Sequence, residues 1–432
     1  MVISEISQQI AGWVAGQRHR IVELTARLVR HPTVNQVTDG TEGECQRELQ
    51  VLFEGMGLET RLYSPEVAPV FRSHPAYFPG KDYTHRPNVA GVWKGQGNGR
   101  SLLFSSHIDT AVVAPGWLAS PWEPRVEQGR VYGLGSFDMK GGLAASIMAV
   151  KCLMELGLRP LGDVILESVV DEEFGGANGT LAGRLMGYNA DAAIIPEPTN
   201  LAICPATRGG ALWRLVFRGQ TGLAFSGETI RNPLYDAAKF LVYLEQFERD
   251  RSKGGGPAPW YTSSGELPVI PTRAAAGDLA SPLCDVGPEE CAIDVWVECH
   301  PGTTEESLKE EILTGYRRQF GPDAPLPEFQ KMIRFLPGSQ VLPDLPLLPI
   351  MGEQVRRVTA GEPAFHGAPF ACDAFIFNLY SPTPAVVLGP SGANAHAADE
   401  YVDIESLCRL TEIYAGIILE WCGISDGKGE GR

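Results

Sequence analysis

The chain has no CxxC pair, no block of Lys and Arg, and no apolar run near the ~20 residues that a membrane span needs. Each absence excludes a class of function. Without CxxC pairs, zinc ribbons and thioredoxin-like redox sites are excluded, and the nine cysteines are scattered as reduced core residues would be. Cys299 beside His300 reads as a strand-end pair. With 52 acidic against 36 basic residues, the net charge of -16 makes nucleic acid and anionic membrane poor partners. The first residues, "MVISEISQQIAGWVAGQRHR", lack an apolar stretch followed by a small-residue cleavage site. They predict an amphipathic helix rather than a signal peptide. A cytoplasmic protein acting on a small molecule is the expectation.

What is present is more informative. A chain of 432 residues exceeds one typical core and suits two domains, and its 44% hydrophobic fraction is ordinary for a globular protein. Four apolar runs end in polar residues able to bind a cation. "RSLLFSSHIDT" ends at His107 and Asp109, and "VILESVVDEE" at Glu172 and Glu173. "DAAIIPEPTN" ends at Glu197, and "TPAVVLGPSGANAH" leads to His396. Helical spacing separates them, as in "DMKGGLAASIMAVKCLMELG". Strands alternating with helices predict an α/β fold with a mostly parallel sheet. Ligands of such sheets gather at the carboxyl ends of the strands.

The middle of the chain differs. Strand, helix, strands and helix succeed one another with alternating polarity, which predicts a small α+β domain inserted in the larger one. The expected division is 1–209 and 326–432 for the catalytic domain and 210–325 for the insert. Residues 65–88 form a long irregular excursion, and the tail "GISDGKGEGR" is expected to be disordered.

"VILESVVDEEFGG" places Asp171, Glu172 and Glu173 side by side after an apolar strand. Adjacent carboxylates repel one another unless a cation sits among them. His107, Asp138, Glu173, Glu197 and His396 together make two histidines and three carboxylates. That is an inventory for two ions: one His and one terminal carboxylate for each, and one bridging carboxylate. The mix of nitrogen and oxygen ligands suits zinc, with cobalt or manganese as alternatives. Asp109, two residues beyond His107, is expected to hold the second ring nitrogen of that histidine. Glu172 is left over and is free to act as general base on a water.

These residues reach a family. The chain resembles the two-zinc amidohydrolases and exopeptidases that include acetylornithine deacetylase, succinyl-diaminopimelate desuccinylase, aminoacylase and the glutamate-releasing carboxypeptidase. The acetylornithine deacetylase-like branch is most similar. The resemblance rests on "SSHIDT", "YGLGSFDMKGG", "DEEFGG", "IIPEPT", "ATRGG" and "VVLGPSGANAHAADEYV". It implies that Asp138 bridges the ions, that His107 and Glu197 hold one, and that Glu173 and His396 hold the other. It implies Glu172 as base and an inserted lid through which such proteins often form homodimers. It also implies hydrolysis of a small N-acyl amino acid or related amide.

One departure stands out. Family members carry a histidine at the start of the lid that stabilises the developing oxyanion, and here "GQTGLAFSGE" places Phe225 there. Phe cannot donate a hydrogen bond, and losing such a donor typically lowers rate by ~10²–10³. His366 and His300 are the candidate replacements. Arg208 in "ATRGG" either anchors a substrate carboxylate or forms a structural salt bridge. A specialised or non-hydrolytic reaction, a dipeptidase or carboxypeptidase, and a non-catalytic metal-binding protein are the alternatives. The complete ligand set and base argue against the last.

Overall fold

The computed structural model describes residues 3–220, 222, 231–254, 256, 257, 259–262, 267–277, 280 and 286–426. Phe225 lies outside the described residues, as do 427–432 of the tail. In chain order the strands used below are β1 (Glu59–Tyr63), β2 (Asn88–Trp93), β3 (Leu102–His107), β4 (Val164–Val169), β5 (Ala192–Ile195) and β6 (Ile203–Thr207). They continue with β7 (Gly209–Arg218), β8 (Val269–Ala276), β9 (Glu290–Cys299), β10 (Glu328–Lys331) and β11 (Ala385–Val387). The helices are α1 (Gly141–Glu155), α2 (Asn178–Leu185), α3 (Pro233–Arg251), α4 (Glu305–Phe320) and α5 (Ile404–Cys422).

The chain divides into two compact units, one of Met1–Ala206, Gln340–Ala368 and Asp373–Arg432, the other of Thr207–Ser339 and Pro369–Cys372. The first unit is α/β. Its sheet runs β1-β2-β4-β3-β5-β11-β6, parallel at the centre and antiparallel at both flanks. Strands β3 and β4 are buried at every position, as continuous apolar runs in the middle of a covered sheet should be. Helices α1 and α5 pack on this sheet and are apolar nearly all round. No helix among the described residues is long and apolar enough to cross a membrane. Every cysteine among the described residues is buried and unbridged. Part of the tail is ordered: Ile424–Asp426 pairs antiparallel with Leu158–Pro160, because Gly423 at φ 69° turns the chain back onto that strand.

The second unit is an antiparallel sheet in the order β8-β9-β7-β10 with two helices. Alternate residues of the strands, among them Leu215, Phe217, Ile293 and Val295, form one core with Phe240 and Leu244 of α3 and Leu308 and Ile312 of α4. Asn232 caps α3 ahead of Pro233, and Thr304 and Ser307 form a reciprocal cap on α4. The sheet reaches past residue 325, since β10 pairs with Trp213–Val216 of β7.

Candidate metal centre

The parallel strands β3, β4, β5 and β11 all deliver their carboxyl ends to one edge of the sheet, and His107 is in register with Val169. His107 is the last residue of β3 and is buried. Its Nδ1 donates to the backbone carbonyl of Asp109 at 2.9 Å, which leaves Nε2 facing Asp138 Oδ1 at 3.2 Å and Glu197 Oε1 at 3.4 Å. Burial pushes the imidazole pKa down, but Glu197 and Asp138 outweigh it and the net direction is well up.

Asp138 sits in the glycine-rich loop after Gly133. Gly135 has φ 81°, and a side chain there would meet Thr110 Cγ2 at 2.6 Å. The loop is clamped from far along the chain: Glu400 accepts from the backbone N–H groups of Gly135, Phe137 and Asp138 at 2.8–3.0 Å. The Asp138–Met139 peptide is cis. His396 Nε2 lies 3.3 Å from Asp138 Oδ2 and 3.1 Å from Glu173 Oε2. Its pKa is raised to about 12, chiefly by Glu173 and with Asp138 adding, against burial.

The carboxylate turn after β4 is held from three sides. Asp109 accepts from the backbone N–H of Glu172 at 3.0 Å and of Glu173 at 2.9 Å, and from Asn35 Nδ2 at 2.9 Å. Asn35 Nδ2 also donates to the Glu173 carbonyl at 2.9 Å. This corrects the expectation for Asp109. Its carboxylate is 3.8 Å from the His107 ring, beyond hydrogen-bonding distance, and positions the glutamates instead. Asp171 faces the other way. It accepts from the Tyr83 hydroxyl at 2.6 Å and pairs with Lys81 at 2.9 Å, so residues 65–88 are tied to the turn. Gly176 is required there, because a side chain would meet the Asp171 carbonyl at 2.0 Å.

Two sets of ligand atoms form, each with its atoms within 4.8 Å of one another: His107, Glu172 and Glu197 in one, and Asp138, Glu173 and His396 in the other. The donor set fits divalent cations. Four carboxylates converge on two imidazoles, and Glu173 Oε1 is buried without a hydrogen-bond partner, as a cation ligand would be. Burial, with Asp138 adding, raises Glu197 to about 8. Burial also puts Glu172 well above the usual carboxylate range, opposed by His107 and reinforced by Asp373, Glu197 and Glu173. Asp373, bonded to Thr180 Oγ1 and raised by burial to about 7, is a further nearby acid that sequence reasoning missed.

The other expected residues have local partners of their own. Arg208 is buried; its Nη1 forms a salt bridge with Glu298 at 2.8 Å, and its Nε is buried without a hydrogen-bond partner. His366 is exposed on Phe365–Ala368, its Nδ1 3.0 Å from the Gly367 carbonyl. His300 belongs to the second unit, its ring 4.8 Å from that of Tyr261. Burial and the charges of Arg208 and Arg251 push it down to about 4.

Comparison with known proteins adds the family. The chain is 28% identical over 375 residues to N-formyl-4-amino-5-aminomethyl-2-methylpyrimidine deformylase of Bacillus subtilis, covering 79% of this chain and 84% of that one. Against the Halalkalibacterium halodurans protein of the same name it is 24% identical over 460 residues, covering 96% and 98%. The fold is also that of a dinuclear metal-binding peptidase of the M20 family from Bacillus subtilis, with a TM-score of 0.63, 17% identity and coverage of 94% and 99%. Residues 103–420 match the profile of peptidase family M20/M25/M40. The chain belongs to that family and is a metal-dependent hydrolase of amide bonds.

Proposed function

We propose that the protein removes a formyl or other small acyl group from an N-acylated amine of the aminomethylpyrimidine kind. The observation that carries the reading is one carboxylate, Asp138, turned with Oδ1 to His107 and Oδ2 to His396, with Glu172 beside it. The relatives' names supply the substrate class. The Arg208–Glu298 pair favours it over an N-acyl amino acid, since Nη1 of the guanidinium expected to hold a substrate carboxylate is already committed to a carboxylate of this chain.

In this reading His107 and Glu197 would hold one divalent ion, most simply zinc, Glu173 and His396 would hold the other, and Asp138 would serve both. Two ions there would polarise the scissile carbonyl and make a water acidic enough to lose its proton near neutral pH. Glu172 takes that proton and passes it to the leaving nitrogen. Its raised pKa is that of the ion-free site, where burial and the neighbouring carboxylates disfavour the charge; two cations beside it would lower it and leave the carboxylate able to accept a proton. Asp109 keeps Glu172 in place through the backbone N–H. A lid role for residues 210–325, and a homodimer formed through it, belong to the same proposal; sedimentation of the purified protein tests the dimer.

The test is a substrate panel with zinc-loaded protein: N-formyl-4-amino-5-aminomethyl-2-methylpyrimidine, N-acetyl amino acids and dipeptides, with Glu172→Gln as control. Formate release by the parent alone is expected. Cleavage of N-acetyl amino acids with none of the formamide would overturn the substrate class. In ¹⁸O water, unlabelled product acid would overturn hydrolysis itself.

A further inference from the structure

The second unit carries a groove of about 570 Å³ between α3 and α4. One stripe of each helix lines it, with Tyr243, Phe247 and Arg251 at fourth-residue spacing on α3 and Gly315, Arg318 and Gln319 on α4. Glycine in a helix interior is unfavourable, and Gly315 has a steric reason to be there. A side chain at that position would meet the Tyr243 hydroxyl at 2.2 Å. That hydroxyl donates to the Ile312 carbonyl at 2.8 Å, which leaves the ring edge as wall.

Arg251 is the unusual member. Its side chain is only 10% exposed, its Nε is 3.5 Å from Glu311, and its Nη1 is buried with no hydrogen-bond partner. A buried guanidinium with an idle donor is unfavourable unless an acceptor meets it. Its charge centre lies 5.0 Å from the Phe247 ring. The surrounding charges favour a single negative charge. The lining holds two bases, Arg251 and Arg318, and two acids; Asp250 is already paired at 2.7 Å with Lys253 outside the lining, which leaves the half-exposed Glu311 alone against both guanidiniums. The volume falls in the ~300–1,000 Å³ range of small-molecule sites.

We propose that this groove binds a small aromatic monocarboxylate, its ring against Tyr243 and Phe247 and its carboxylate on Arg251 and Arg318. The inference is independent of the metal centre and its substrate. Titration of the zinc-loaded full chain with 4-fluorobenzoate, followed by fluorine NMR, tests it. Arg251→Met should weaken binding about tenfold or more and Arg318→Met severalfold, with the neutral 4-fluorobenzamide about tenfold weaker than the acid. Equal affinity of parent and both variants would overturn it. Crystals soaked in 4-iodobenzoate locate the ligand. An anomalous iodine peak between α3 and α4 is expected; a peak at the metal centre alone would overturn the proposal. Should Arg251→Met fail to fold, the exposed Arg318 variant and the soak still decide.

Discussion

His107 ends the parallel strand β3 and Glu197 follows its neighbour β5, and both are buried against the sheet edge. Glu173 and His396 come from two loops, and the His396 side chain remains 54% exposed on a backbone with φ 61°. The chemistry of the two groups is nearly the same, but their support is not. A ligand on a packed strand is held by the whole sheet, whereas His396 is held by its own loop. The first position should therefore be the tighter and the second the more exchangeable.

The most severe way to break this contrast is to remove what the groups share. Asp138→Ala should lose both ions and all measurable turnover, as metal analysis of the dialysed protein would show; two ions retained would contradict the bridging role. Next in size, Glu172→Gln should lower turnover by ~10²–10⁴ while keeping both ions. His396→Ala sharpens the comparison directly. It should leave one ion per chain, and slow chelation of the parent should remove one ion well before the other. Simultaneous loss would show that the two positions are equally supported. Asp109→Asn should lower activity by roughly 10–100-fold, because the amide keeps one acceptor but weakens the hold on both glutamate N–H groups. The smallest effect is in pH. Without an ion, His396 keeps its proton until about pH 12, so an ion must displace that proton. Affinity should fall as pH falls, by about tenfold per unit for each proton released, and a chelator competition at pH 6 and 8 measures it.

Much of this was legible because apolar strands that stop at His, Asp or Glu advertise their ends. His107, Glu173 and Glu197 are such residues, and the sheet brings them to one edge. Asp109 was misjudged for a local reason. Strand alternation would have put it on the face of His107, but β3 stops at His107. Beyond that point the backbone carbonyl meets the ring, and the carboxylate meets the amides of the glutamate turn. Arg208 was legible only as a basic residue; its partner Glu298 is 90 positions away and no spacing announces it. Glu400, Asn35 and Asp373 escaped for the same reason, since contacts between remote loops leave no periodicity.

Glu400 has a consequence in time. The Asp138 loop is formed early in the chain, yet its clamp and the ligand His396 both lie near the other end. A nascent chain still emerging from the ribosome has the acidic turn and the first histidine without the parts that close the site. Such a chain could attract ions but not arrange two of them, so activity must wait until residues 396 to 400 have been made and folded back onto the Asp138 loop.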